Sequence, residues 1–110
     1  MAHEKANLTL LLLKLLEEKD RYGYEIIETL AKRSDDTFCL KAGTLYPLLH
    51  GMEKDGFVTS YEQEEKGRKR KYYHITENGK QQLVQQTTWW NHYAKAVSKV
   101  LKGGVSFEQI

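Results

Sequence analysis

The chain has 110 residues, of which 40% are hydrophobic and 29% are charged, and its formal net charge is +2. These values are typical of one small soluble domain, and so modest a net charge does not by itself indicate nucleic-acid binding. The single cysteine, Cys39, excludes an intrachain disulfide and a paired-cysteine metal site, and we expect it to be a small buried hydrophobe.

The first residues lack the charged segment and cleavage site of a signal peptide. The leucine-rich run at 8–16 is too short to span a bilayer, so we expect a cytoplasmic protein. Residues 4–18 are predicted to form a helix that is apolar on nearly every side, and such a helix must be covered on several faces. A second subunit would supply that cover in so small a protein. The residues assigned to a dimer interface here are Leu8, Leu11, Leu12 and Leu15.

A second helix is predicted at 22–33, followed by a break at 34–37. Phe38 and Leu40 are expected to be core residues in the turn. The next helix, at 43–54, places its leucines and methionine at i, i+3, i+4 and i+7, which is a single apolar stripe. Pro47 favours the first turn of a helix, so this helix begins near Thr44, or begins at Lys41 and is kinked. The residues left on the outer face are Gly43, Tyr46, Pro47, His50 and Lys54.

Two β-rich runs follow, at 57–61 and 72–75, and the turn between them is expected at 64–67. Five of the six residues at 66–71 are cationic. Such a charge run often belongs to a solvated loop, and a helix such as 43–54 can be a surface helix that binds nothing. Side by side, however, they are typical of a winged helix-turn-helix, in which a helix enters a DNA groove and a basic hairpin contacts the phosphates. We therefore predict a mainly α fold with a small β-hairpin (α+β).

The last helix is predicted to begin after Thr76 as N-cap and to end at the glycines 103 and 104. About 26 residues would form a rod of about 39 Å, longer than so small a domain can cover. Its apolar residues follow a heptad-like seam, which predicts a homodimer. Residues 1–75 would form the DNA-binding domain, with its first helix shared in the dimer, and residues 76–110 the dimerisation helix and a frayed tail at 105–110. The interface residues assigned here are Leu83, Trp90, Tyr93, Ala94, Val97 and Leu101.

Several short motifs, in this order and spacing, resemble the PadR family of bacterial transcriptional regulators. They are YGYEI at 22–26, GTLYPLL at 43–49, MEKDG at 52–56, GRKRKYY at 67–73 and TENG at 76–79. The resemblance covers about residues 8–100. The short C-terminal segment is similar to that of the compact branch of the family, which includes the LmrR-type multidrug-binding repressors.

The resemblance implies a winged-helix dimer, usually a repressor, on a pseudo-palindromic operator in double-stranded DNA. It also implies that Tyr72 and Tyr73 seat the wing on the core. His50 and Gly51 stand where relatives commonly carry Lys or Arg, which shifts more of the expected affinity to the wing. The residues predicted to contact DNA are Lys41, Thr44, Tyr46, His50, Arg68, Lys69, Arg70 and Lys71.

The same resemblance places Trp90 at a pocket between the long helices of the dimer, where it can stack on a planar hydrophobic molecule. Alternatively, Trp89 and Trp90 merely fill the dimer seam.

A competing hypothesis is a winged-helix module that binds proteins rather than DNA, although such a module gains little from a basic hairpin. We expect no enzyme, metal or cofactor, because the chain has no nucleophile motif and no glycine-rich phosphate loop. The four histidines are scattered without metal-ligand spacing, at positions His3, His50, His74 and His92.

Overall fold

The computed structural model describes the backbone of residues 2–103 and the side chains of residues 7–103. The predicted tail at 105–110 lies outside the described residues. Four helices and a three-stranded antiparallel sheet confirm the predicted α+β class, and no helix among the described residues could cross a membrane. The elements in chain order are α1 (Ala2–Glu18), β1 (Arg21–Tyr22), α2 (Gly23–Arg33), α3 (Ala42–Lys54), β2 (Val58–Glu65), β3 (Arg68–Ile75) and α4 (Glu77–Lys102).

The leucines of α1 form the centre of the core, because α2, β3 and α4 of the same chain cover this helix. Leu12 and Leu15 are 0% and 2% exposed, and Leu83 of α4 is 5% exposed. These three residues have no surface to offer a partner, which corrects their assignment to the dimer interface. Leu8 and Leu11 remain partly exposed at the edge of the core.

The turn between α2 and α3 adopts an unusual backbone, since Asp35 and Asp36 have φ values of 51° and 63°. It carries the following side chains outward rather than into the core. Cys39 is exposed, with its Sγ 3.2 Å from the carbonyl oxygen of Asp36, so the expectation of a buried cysteine is wrong. Phe38 is 36% exposed, which corrects its predicted core position, and Leu40 is partly buried.

The hairpin is longer than predicted, with two strands of eight residues joined at Lys66 and Gly67. Both turn residues have positive φ, 52° and 78°, as a two-residue type I′ hairpin requires. The charged residues next to the turn thus belong to the strands. The sequence analysis also missed β1, which pairs with β3 to give the order β1-β3-β2, because two residues are too few to show an alternating pattern.

The long helix α4 begins and ends as predicted. The hydroxyl of Thr76 accepts a hydrogen bond from the Gly79 amide (3.0 Å), and Gly103 is the C-cap residue. Helix α4 packs against α1 and β3. Its fully buried residues, Gly79 and Leu83, lie in the first two turns, and most of the later residues are exposed. The molecule is elongated, with overall dimensions of 64 × 28 × 25 Å.

Candidate nucleic-acid interface

Helix α3 presents its two faces as the spacing predicts. All four residues of its apolar stripe are buried, and Thr44, Tyr46 and His50 are exposed on the opposite side. The rings of Tyr46 and His50 lie 6.5 Å apart, one turn from each other. Lys41 is the N-cap residue and is exposed. Because α3 begins at Ala42, directly after its N-cap Lys41, Pro47 lies in the second turn, which agrees with the predicted start at Lys41 rather than the one near Thr44.

The hairpin of β2 and β3 (residues 58–75) is the wing, and its cations are divided between its two faces. Side chains of a strand alternate, so Lys69, Lys71 and the buried Tyr73 share one face, while Arg68 and Arg70 share the other. The face of Tyr73 is turned toward α3, because Ser60, its register partner, donates a hydrogen bond to Glu53 of α3 (2.7 Å). The two lysines are therefore on the side of the wing that faces α3.

Arg70 has a structural partner on the other face. Its guanidinium carbon lies 4.3 Å from the ring centroid of Tyr22 in β1, a cation–π contact, and the side chain is partly buried. The Nζ atom of Lys71 is 5.9 Å from the ring centroid of Tyr73, at the outer limit of such a contact, and Lys71 remains exposed. The structure thus separates the predicted wing cations into two solvent-facing lysines on the α3 side and two arginines behind them.

The excess positive charge of the chain is concentrated in the wing. Five of the 17 cations and three of the 15 acids lie in residues 58–75, so the rest of the chain has twelve of each and is formally neutral. Glu62 and Glu64 are the register partners of Lys71 and Lys69. Within residues 7–103, however, no wing cation lies within 4.0 Å of a carboxylate oxygen, so the cations remain available to another anion.

The base of the wing is tied to the helical body by Asp20, which the sequence analysis did not single out. The Tyr61 hydroxyl donates to one carboxylate oxygen (2.7 Å), and the His74 Nδ1 atom lies 2.8 Å from the other. The hydrogen bond to Asp20 raises the pKa of Tyr61 to about 12. Burial alone would raise the pKa of Asp20, but the hydrogen bonds from Tyr61 and His74 outweigh it and hold this pKa below its ordinary value.

Tyr24 is an exposed aromatic residue that the sequence analysis did not assign to any surface. It lies in the first turn of α2 and is 62% exposed, and the preceding residue, Gly23, contacts the ring of Tyr46. The helical spacing could have indicated it, because the buried Ile26 and Leu30 define the inner face of α2 and Tyr24 lies outside it.

The exposed part of α4 carries a continuous aromatic and aliphatic surface. Trp89 and Tyr93 stack with ring centroids 5.0 Å apart, and Trp90 lies 6.0 Å from the same tyrosine. A shallow apolar groove of about 260 Å³ continues toward the C-terminal end of the helix. The groove is lined by Tyr93, Ala96, Val97, Val100 and Leu101. Ala94 is partly buried. No three acidic, histidine or cysteine side chains among the described residues are placed to hold a metal ion.

An exposed helix face beside a basic hairpin, on an α+β core, is the architecture typical of winged-helix transcriptional regulators. The family model described as the Transcriptional regulator PadR-like family matches residues 12–85. The chain belongs to this family, which confirms the resemblance found in the sequence.

Solved structures of similar proteins support the same assignment. A PadR-like transcriptional regulator from Bacillus cereus is 31% identical with a TM-score of 0.81, over 94% of this chain and 99% of that chain. A PadR family transcription regulator from hypervirulent Clostridium difficile is 36% identical with a TM-score of 0.74, over 84% and 96%. A transcriptional regulator from Clostridium thermocellum is 31% identical with a TM-score of 0.81, over 90% and 97%.

Proposed function

We propose that this protein is a cytoplasmic, homodimeric repressor that binds a pseudo-palindromic operator in double-stranded DNA. The observation that carries the proposal is that the lysine face of the wing is turned toward α3, the helix whose exposed side carries Thr44, Tyr46 and His50. Residues 1–75 would provide the DNA-binding domain, and the last helix would join two copies.

In this proposal Thr44, Tyr46 and His50 enter the major groove, while Lys69 and Lys71 contact the phosphates beside it. Lys41 and Arg68 are close enough in sequence to these elements to reach flanking phosphates. Tyr24 adds a hydroxyl from α2, the helix that crosses the backbone in helix-turn-helix complexes.

The dimer is proposed from the surface of α4. Val100 and Leu101 are 78% and 81% exposed, and Val97 and Trp90 lie about one and about three turns away on the same helix. Apolar side chains at heptad-like spacing on an extended helix are buried most simply by a second copy of that helix. Leu8 and Leu11 of α1 would border this interface. Sedimentation velocity should give a dimer, and Leu101→Glu should shift the protein toward monomer.

DNA binding is tested by titration with operator fragments selected from genomic DNA by the purified protein. If each subunit contacts about three to four phosphates, the plot of log K against log salt should have a slope of about −5 to −7 for the dimer. An affinity independent of salt concentration would contradict the proposal.

The residue assignment is tested with matched charge variants. Lys69→Ala and Lys71→Ala should weaken binding to every sequence and reduce the slope by about 2 per dimer each. Thr44→Ala should change which sequence is preferred. Lys95→Ala, on the surface of α4, is the control for loss of one positive charge, and we expect it to leave the slope unchanged.

A small-molecule effector is the second part of the proposal. Trp89, Trp90 and Tyr93 already form an aromatic cluster, and two such clusters facing each other in a dimer would enclose a planar hydrophobic compound. A planar cationic dye should quench tryptophan fluorescence and release the operator. Trp90→Ala should abolish both effects and preserve the dimer. Undiminished dye binding by this variant would assign the cluster to the dimer seam alone.

A further inference from the structure

The segment that joins α1 to α2 is extended, and its side chains alternate between the helical body and the wing. Arg21 points into the body, where it is 7% exposed. Its Nε donates to the Leu15 carbonyl oxygen (2.9 Å), and its guanidinium forms an ion pair with Glu18 (3.1 Å). A buried guanidinium held by a carbonyl and a carboxylate fixes this segment firmly to the body.

The residues on either side of Arg21 point the other way and hold the wing. Asp20 accepts the hydrogen bond from Tyr61 in β2 and lies against His74 in β3, so one carboxylate joins both wing strands. Tyr22 packs edge-on against Tyr72 of β3, with ring centroids 5.4 Å apart, and Tyr72 stacks on Tyr61 at 5.7 Å. These contacts connect the helical body continuously to the outer face of the wing. We call this set of contacts, made by Asp20, Tyr22, Tyr61, Tyr72 and His74, the bracket.

These contacts act at the base of the wing, and Arg68 and Lys69 lie beyond them toward the tip. Arg68 is four residues closer to the tip than Tyr72, which is about 13 Å along an extended strand. A tilt of about 10° at the base would move that position by about 2 Å. Hydrogen bonds to phosphate tolerate only a few tenths of an ångström, so the angle of the wing decides whether its cations reach the backbone.

We propose that Asp20 is a positioning residue, which sets the angle of the wing on the helical body and thereby aligns the wing cations with the DNA phosphates. This inference rests on the proposed DNA-binding function. Asp20 itself does not contact DNA, and it acts through Tyr61 and His74.

The direction in which the DNA affinity changes when Asp20 is replaced distinguishes a positioning role from a purely electrostatic one. Removal of an acid makes the protein more positive, which by itself strengthens attraction to DNA. Loss of the bracket instead releases the wing and weakens binding. Asp20→Ala should therefore reduce operator affinity about tenfold, the scale of one lost hydrogen bond to a charged group, and should make the salt slope shallower.

Three further variants complete the experiment. Tyr61→Phe removes only the hydroxyl, changes no charge and should weaken binding in the same direction. Asp20→Asn keeps an oxygen that accepts from Tyr61 and should restore affinity to within about twofold of the unmodified protein. Glu17→Ala removes an exposed acid of α1, whose partner is Lys14, and should not weaken binding.

Whether these contacts are formed can be measured on the protein alone, without DNA. In Asp20→Ala, NMR titration should show the pKa of Tyr61 falling toward its ordinary value, and amide hydrogen exchange should accelerate more in the wing than in the helical body. The positioning role is overturned if Asp20→Ala binds the operator as tightly as the unmodified protein, or more tightly. It is also overturned if Asp20→Asn binds the operator as weakly as Asp20→Ala. If the unmodified protein itself binds no DNA, the proposed function fails instead.

Discussion

The phenol ring of Tyr46 lies directly against the backbone of Gly23. A Cβ atom added at position 23 would overlap the Tyr46 hydroxyl and would lie only 2.7 Å from its Cζ atom. The first turn of α2 therefore packs against the Tyr46 ring on the exposed side of α3, and it can do so because Gly23 has no side chain. This contact links the two helices of the helix-turn-helix at the proposed DNA surface.

Gly23→Ala should therefore destabilise the protein and displace Tyr46. Overpacking of this kind costs about 1–3 kcal/mol, and operator binding should weaken because the ring moves. Urea unfolding and DNA titration measure the two effects. Gly51→Ala is the matched control: this glycine is exposed in α3 with no atom near its absent side chain, so alanine should stabilise the helix by up to about 1 kcal/mol. In a Tyr46→Ala background, Gly23→Ala should lose most of its cost, and an unchanged cost would show that the ring is not the obstacle.

Tyr73→Phe should preserve or increase stability. The Tyr73 side chain is 0% exposed, and its hydroxyl has no hydrogen-bond partner among the described residues, so burial removes water from this oxygen without a replacing hydrogen bond. Burial also raises the pKa of this phenol. We expect a gain of up to about 1 kcal/mol in the free energy of unfolding, measured by urea denaturation. A loss of similar size would mean that the hydroxyl is bonded in solution. Tyr72→Phe, which removes the hydrogen bond to Glu65 (3.0 Å), is the comparison variant and should not stabilise.

Lys66→Asn should stabilise the wing. Lys66 has φ of 52° in a type I′ turn, where asparagine is preferred and a lysine side chain is strained. Relief of this strain is worth up to about 1 kcal/mol. Slower hydrogen exchange of the wing amides would report it. Lys66→Gln removes the same charge without favouring the left-handed backbone, so its exchange should stay close to that of the unmodified protein. Equal effects of the two substitutions would attribute the change to charge.

The contribution of the Tyr61 hydroxyl to stability should depend on pH in a defined window. Its pKa in the folded protein, about 12, exceeds the ordinary 10.0, so the folded state favours the neutral phenol. The contribution is fully present below pH 10 and is lost as the pH rises toward 12. The pKa of Asp20 is depressed below 3.8, so its contribution is present above that pH and is lost in more acidic solution.

Melting temperatures of the unmodified protein and Tyr61→Phe test this window. Their difference should be constant from about pH 5 to pH 9 and should shrink above pH 10. A difference that grows at alkaline pH would contradict the assignment of the hydrogen bond to Asp20.

The sequence by itself determined much of the fold, because local periodicity carries the information. The spacing of Leu45, Leu48, Leu49 and Met52 gave the buried face of α3, and all four residues are buried. The cap at Thr76 and the glycine at 103 gave both ends of α4. The cationic run gave the wing, since Gly67 next to charged alternating residues is typical of a hairpin turn.

Only the tertiary structure decided which surfaces were left free and which side chains met across the chain. It buried Leu12, Leu15 and Leu83 in one core, and it exposed Cys39 through two left-handed residues in the preceding turn. It also joined Asp20 to His74, 54 positions apart. Such contacts depend on how helices and strands pack in space, and residues so distant in the chain leave no periodic signal for a single sequence to show.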